Sequence, residues 1–87
     1  MKKVTIRALG SLDLKNKEYI IDENDISLKA FLTKYVLENT DQINKFFPPD
    51  NIPAAYIIFV NGVIVSDENH LLQNGDKILI TSIMGGG

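Results

Sequence analysis

The stretch that decides the fold is Tyr56-Ile57-Ile58-Phe59-Val60-Asn61-Gly62-Val63-Ile64-Val65. A β-prone run, an Asn-Gly pair and three β-branched residues read as two antiparallel strands joined by a two-residue turn. Asn and Gly accept the positive φ that this turn requires at both central positions. Toward the C-terminus, residues 66–70 are polar loop, Asn74-Gly75-Asp76 is another tight turn, and residues 77–83 read as a final strand. Toward the N-terminus, Pro48 and Pro49 must stop any helix, because the residue before a proline is pushed out of the helical region. Residues 41–47 fit one helical turn ahead of that stop. Phe46 and Phe47 have two uses, closing the end of the core or docking a partner, and the first is the commoner one on a small domain.

Farther upstream, Leu28, Phe31, Leu32, Tyr35 and Val36 recur at the spacing of one buried helical stripe, with Lys29, Thr33 and Lys34 on the wet side. Ser27 is placed to cap this helix, and Ile26 and Phe31 stand at the two positions of a hydrophobic staple. The spacing predicts a helix from Leu28 to about Asn39. Val4, Ile6 and Ala8 alternate with Thr5 and Arg7 as in a half-buried strand, and Tyr19, Ile20 and Ile21 form a short second run. Residues 10–16 supply turn chemistry between them, so the opening third reads as a hairpin. Two hairpins flanking one helix, plus a last strand, predict an α+β domain with the helix laid across one face of a mixed sheet.

Composition narrows the function classes. Eighty-seven residues, 45% of them hydrophobic, suffice for one core and leave no second lobe to form an interdomain cleft, which disfavours most self-contained enzymes. The absence of cysteine excludes disulfides, a thiol nucleophile and cysteine-ligated metal centres, and fits a reducing cytoplasm. A net charge of -2 with scattered lysines lacks the footprint of a nucleic-acid binder. Apolar runs fall far short of the roughly 18 to 20 residues that span a bilayer, and the Met-Lys-Lys start leads into strand-like sequence with no signal-peptide core. A cytoplasmic protein, neither membrane-embedded nor exported by that route, is expected.

Few residues invite chemistry. His70 is the only histidine, and with Ser66 and Asp67 it crowds one polar loop instead of converging on an oxyanion hole. Asp67, Glu68 and His70 as metal ligands would lack supporting partners, and residues 22–25 lack the alternating oxygens and mid-loop glycine of a calcium loop. No metal site is expected. Gly85-Gly86-Gly87 has no following helix with which to cradle a phosphate.

That triplet is nonetheless the unusual feature of the chain. Glycines lose the most entropy on ordering and bring no side chain to a core, so folding gains nothing from them. They read either as a frayed terminus or cloning remnant, or as a tail thin enough to thread a channel and deliver its carboxylate to another protein's active site. At about 3.3 to 3.6 Å per residue, residues 84–87 reach roughly 13 Å beyond the sheet.

The element order, the Val60-Asn61-Gly62 hairpin, the segment Leu72-Gln73-Asn74-Gly75-Asp76-Lys77-Ile78 and the Gly86-Gly87 end together resemble the MoaD and ThiS family of ubiquitin-like sulfur carriers over essentially the whole chain. The resemblance implies a β-grasp domain over residues 1–84, a mixed sheet of about five strands on one main helix, and a flexible tail formed by Gly85, Gly86 and Gly87. It implies a carrier with no catalytic residue or bound cofactor of its own. A ubiquitin-activating-type enzyme would use ATP to adenylate the Gly87 carboxylate, and a sulfur donor protein would supply the sulfur that converts it to a thiocarboxylate. A large synthase subunit would then receive that sulfur. Length and the extra turn around Phe46, Phe47, Pro48 and Pro49 are more similar to the MoaD branch, the small subunits of molybdopterin synthase, than to the shorter thiamin carriers. The chain departs from the pattern in its third glycine, Gly85, and in Ser82-Ile83-Met84, where many MoaD-like sequences carry proline. Alternatives are a thiamin-pathway carrier, a ubiquitin-like protein modifier, and a β-grasp interaction module whose tail has no covalent role.

Strand parity gives an interface expectation. If Val4, Ile6, Ile58, Val60, Ile78 and Ile80 face the helix, then Arg7, Ile57, Phe59, Leu79, Thr81 and Ile83 face away. In a β-grasp arrangement the last strand lies between the first and third. Phe59, Leu79 and Ile83 would then gather at the root of the tail as an apolar partner-binding patch, or as a homodimer contact.

Overall fold

The computed structural model describes residues 1–9, 17–49 and 52–83. Its strands are β1 (Lys2–Ala8), β2 (Lys17–Ile21), β3 (Tyr56–Val60), β4 (Val63–Ile64) and β5 (Lys77–Ser82). They form one mixed sheet in the order β2-β1-β5-β3-β4, in which only β1 and β5 run parallel. The last strand is therefore the middle one, with Ile6 opposite Ile78 on one side and Val60 opposite Ile78 on the other. Val4, Ile6, Ile58, Val60, Ile78 and Ile80 are all buried, as the period of two predicts.

The deciding hairpin forms as read. Asn61 and Gly62 have φ of 53° and 84°, Val60 pairs with Val63, and the Val65 amide still reaches the Ile58 carbonyl at 2.9 Å. A β-carbon at Gly62 would meet no neighbouring atom, so the demand for glycine there comes from the backbone alone. The β1–β2 pairing runs from Lys2 opposite Ile21 to Ile6 opposite Lys17, and the turn expected at residues 10–16 lies outside the described residues.

The helical layer differs from expectation. Ser27 caps α1 (Leu28–Phe31) through its hydroxyl, which accepts from the Ala30 amide at 3.1 Å. Beyond it the chain widens into a π-helical turn over Leu32–Val36, closed by the Leu37 amide on the Leu32 carbonyl at 2.8 Å. The helix thus stops at Val36, short of Asn39. The reason is Leu37: at about 100° per residue it would stand opposite Leu28 on a continued α-helix, in water. The wider turn and an extended conformation at Leu37 carry it into the core instead. The Lys34 ammonium and Tyr35 hydroxyl both donate to Glu23 Oε1, tying the π turn to the segment after β2. These bonds hold the Glu23 carboxyl below its ordinary range, and the same partnership raises Lys34.

A 3₁₀ helix (Thr40–Lys45) follows, close to the extra turn read at residues 41–47. Phe46 is buried against the Tyr56 ring, with centroids 5.0 Å apart, and Phe47 packs half-buried on the same core, so this pair closes the core's end. Phe31 sits at the centre of an aromatic row, edge-on to Tyr19 at 5.4 Å and stacked on Tyr35 at 5.8 Å. None of the helices among the described residues is long and apolar enough to cross a membrane.

Candidate functional site

The helices cover one face of the sheet, and strand register arranges what the other face presents. Thr5 lies opposite Lys77, and the Asn61 amide bonds the Lys77 carbonyl at 2.8 Å, so Thr5, Lys77 and Asn61 form one cross-strand row. Arg7 lies opposite Leu79, Leu79 opposite Phe59 and Phe59 opposite Ile64, giving a second row. Thr81 and Ile57 begin a third. The first two rows enclose an open concavity of about 570 Å³ lined by Thr5, Arg7, Phe59, Asn61, Lys77 and Leu79.

Two turns fix this end of the sheet through one buried carboxylate. Asp76 is 6% exposed, and its carboxylate accepts from Asn61 Nδ2 at 2.8 Å and from the Gln73 amide at 2.7 Å. Asn61 Oδ1 in turn accepts from the Lys77 amide at 2.9 Å. One carboxylate therefore locks the β3–β4 turn to the loop that launches β5. Gly75, at φ 89°, brings its amide to the Lys3 carbonyl at 2.8 Å, while Asn74 Oδ1 accepts from the Lys3 amide at 2.8 Å. The Asn61-Gly62 and Asn74-Gly75-Asp76 signals thus join into a single clasp.

Of the residues assigned to the interface, Arg7 and Ile83 are exposed, and Phe59, Leu79 and Thr81 are half-buried on the open face. They do not gather at one place. Phe59 and Leu79 are cross-strand neighbours beside Arg7, but Ile83 is four residues beyond Leu79, about 13 Å farther at strand rise. It lies past the end of β5, where its amide bonds the Ala55 carbonyl at 3.0 Å. The apolar pair belongs to the Asn61-Gly62 end of the face, and Ile83 to the opposite end. Gly85, Gly86 and Gly87 lie outside the described residues. Thr5 and Lys77 are not among the interface residues expected from the sequence, although the same parity rule that selects Arg7 and Leu79 selects them.

The polar loop after β4 serves the helix. The His70 and Glu68 carbonyls accept the Leu28 and Lys29 amides at 2.7 and 3.1 Å, and the Glu68 carboxylate pairs with Lys29 at 3.0 Å. Asp67 Oδ1 accepts the Asn69 amide at 2.9 Å, an Asx turn. Among the described residues no side-chain hydrogen bond or ion pair joins Ser66, Asp67 and His70, and no group of three or more His, Cys, Asp or Glu is placed to hold a metal ion. In the acidic segment, Asp22 and Asp25 are exposed while Glu23 is engaged by Lys34 and Tyr35.

Comparison of the chain with models of known protein families and with curated protein sequences returned no match.

Proposed function

We propose that this protein is a ubiquitin-like sulfur carrier of β-grasp fold, whose C-terminal glycine is converted to a thiocarboxylate that supplies sulfur for molybdopterin biosynthesis. The observation that carries the reading is the place of β5: the strand leading into Gly85-Gly86-Gly87 is the central one, paired on both edges. A tail rooted there leaves from the most firmly held part of the sheet, so a partner that grips the sheet also positions the tail. The strand order, with its parallel β1–β5 pair and antiparallel hairpins at both ends, is compatible with a β-grasp.

The chemistry follows from the carboxylate. Its oxygen attacks the α-phosphorus of ATP in the activating enzyme, pyrophosphate leaves, and the acyl-adenylate becomes the electrophile that a free carboxylate is not. The outer sulfur of a persulfide on a donor protein attacks the acyl carbon and AMP leaves with the bonding pair; a second thiol of the donor then cleaves the acyl disulfide, so the thiocarboxylate leaves with the S–S bonding pair and the donor is left as a disulfide. Glycine at residues 85–87 suits this because a chain without β-carbons passes a narrow channel. All acid and base steps fall to the partners.

The reading requires that Gly87 carry the free carboxylate. Pyrophosphate exchange into ATP, measured with a ubiquitin-activating-type enzyme, tests it. Exchange is expected with the chain ending at Gly87 and none with one residue appended. Exchange that persists with an untrimmed extension overturns the proposal. Isopeptide adducts on lysines of other proteins would favour the modifier alternative.

A further inference from the structure

The open face carries its own electrostatic pattern. Lys3, Arg7 and Lys77 project there, against one acidic strand residue among those described, Glu18, which lies opposite Thr5 and is engaged by Lys3 at 3.9 Å. Neither the Arg7 guanidinium nor the Lys77 ammonium has an ion-pair partner among the described residues. This surplus of cations sits on a chain whose net charge is -2. Among the described residues these two cations are the only charged groups lining the concavity, and beside them lie Phe59 and Leu79.

We infer that this concavity is a docking site for an extended acidic segment of a partner protein, one presenting two carboxylates and a bulky apolar side chain on the same side. Charge complementarity selects the carboxylates. From strand spacing and rise, the Arg7 and Lys77 backbones are about 8 Å apart on the diagonal, while alternate residues of an extended peptide project about 7 Å apart on one side. The long cationic side chains span the difference. The next residue on that side of the peptide reaches the Phe59–Leu79 floor. A lone phosphate gains less here, because the concavity is open and Asp76, the buried polar side chain among the described residues, is an anion already engaged by Asn61 and the Gln73 amide. The clasp through Asp76 preorganises the site by fixing Asn61 and Lys77 relative to one another. The inference does not depend on activation of Gly87.

The test is an amide-resolved NMR titration of the full chain with acetyl-Glu-Ser-Glu-Ser-Phe-amide, its Gln-Ser-Gln-Ser-Phe analogue and its Lys-Ser-Lys-Ser-Phe analogue. The acidic peptide should shift Thr5, Arg7, Asn61, Lys77 and Leu79, with affinity about tenfold above the neutral analogue at low salt and less at high salt. The exposed double substitution Arg7→Glu and Lys77→Glu should reverse the preference toward the basic peptide while core methyl signals stay unchanged. Arg7→Ala with Lys77→Ala should abolish the preference without reversing it. Equal affinity for all three peptides, or shifts centred elsewhere, overturns the proposal. It is also overturned if inorganic phosphate or ATP reproduces the shifts at the same concentration, marking a small-anion site, or if the protein alone shows them on concentration, marking self-association.

Discussion

Asp76→Ala should cost about 3 to 4.5 kcal/mol of stability. The carboxylate is buried and accepts two hydrogen bonds, from Asn61 Nδ2 and from the Gln73 amide. Bonds to a charged group contribute about 1.5 to 3 kcal/mol each, and removing one partner also strands the donors that remain. Asn61 is exposed, so water satisfies its freed amide and pulls the sum toward the lower half of the range. Against the total of about 4 to 13 kcal/mol usual for a chain of this length, that loss is large. Asp76→Asn keeps the shape and one acceptor and should cost about half as much. Urea unfolding followed by far-ultraviolet circular dichroism gives the values from the midpoint at constant m. The clasp also predicts non-additivity: Asn61→Ala combined with Asp76→Ala should cost at least about 0.5 kcal/mol less than the two separately. A single-variant loss below about 0.5 kcal/mol, the range of ordinary surface changes, would refute the reasoning.

Deleting Gly86 and Gly87 should change stability by less than about 0.5 kcal/mol in the same unfolding assay while abolishing pyrophosphate exchange, since glycines contribute no side-chain packing. Gly86→Ala should slow single-turnover adenylation and Gly85→Ala should slow it less, because the second position lies farther from the reacting carboxylate; equal rates for wild type and Gly86→Ala would count against a narrow channel. Phe59→Ala and Leu79→Ser, on the open face, should each weaken binding of the activating enzyme by about 1 kcal/mol or more in calorimetry, with the fold retained. The Glu23 carboxyl, held low by Lys34 and Tyr35, stabilises the fold above its unfolded titration range and loses that contribution as pH falls through its lowered folded value. Urea midpoints across the acidic range should therefore drop less for Glu23→Gln than for wild type.

Strand parity made most of the fold legible. Period-two runs at Val4 and Ile6, at Ile58 and Val60, and at Ile78 and Ile80 each chose the buried face correctly, because a one-residue slip would expose an entire strand. Asn61-Gly62 was equally readable, its positive φ values being a backbone requirement that few residue types meet. The helix end was not. A stripe at helical spacing tells which residues want burial, but Leu37 wants it too and lies off the stripe, and only packing decides that the turn widens to admit it. The site was half legible: parity placed Arg7, Phe59 and Leu79 on the open face, yet a period of two says nothing of distance along a strand. Ile83 was therefore grouped with residues about 13 Å away. The Asp76 clasp stayed hidden because Asn61 and Asp76 each already explain themselves as turn residues.

The central claim, that Gly87 carries sulfur, is tested most directly by intact mass spectrometry of the chain after incubation with ATP, a ubiquitin-activating-type enzyme and a sulfur donor protein. The account predicts a mass gain equal to sulfur replacing one oxygen, located by fragmentation at Gly87 and absent without ATP. An unchanged mass, under conditions in which the same enzyme and donor load a known carrier, would contradict it.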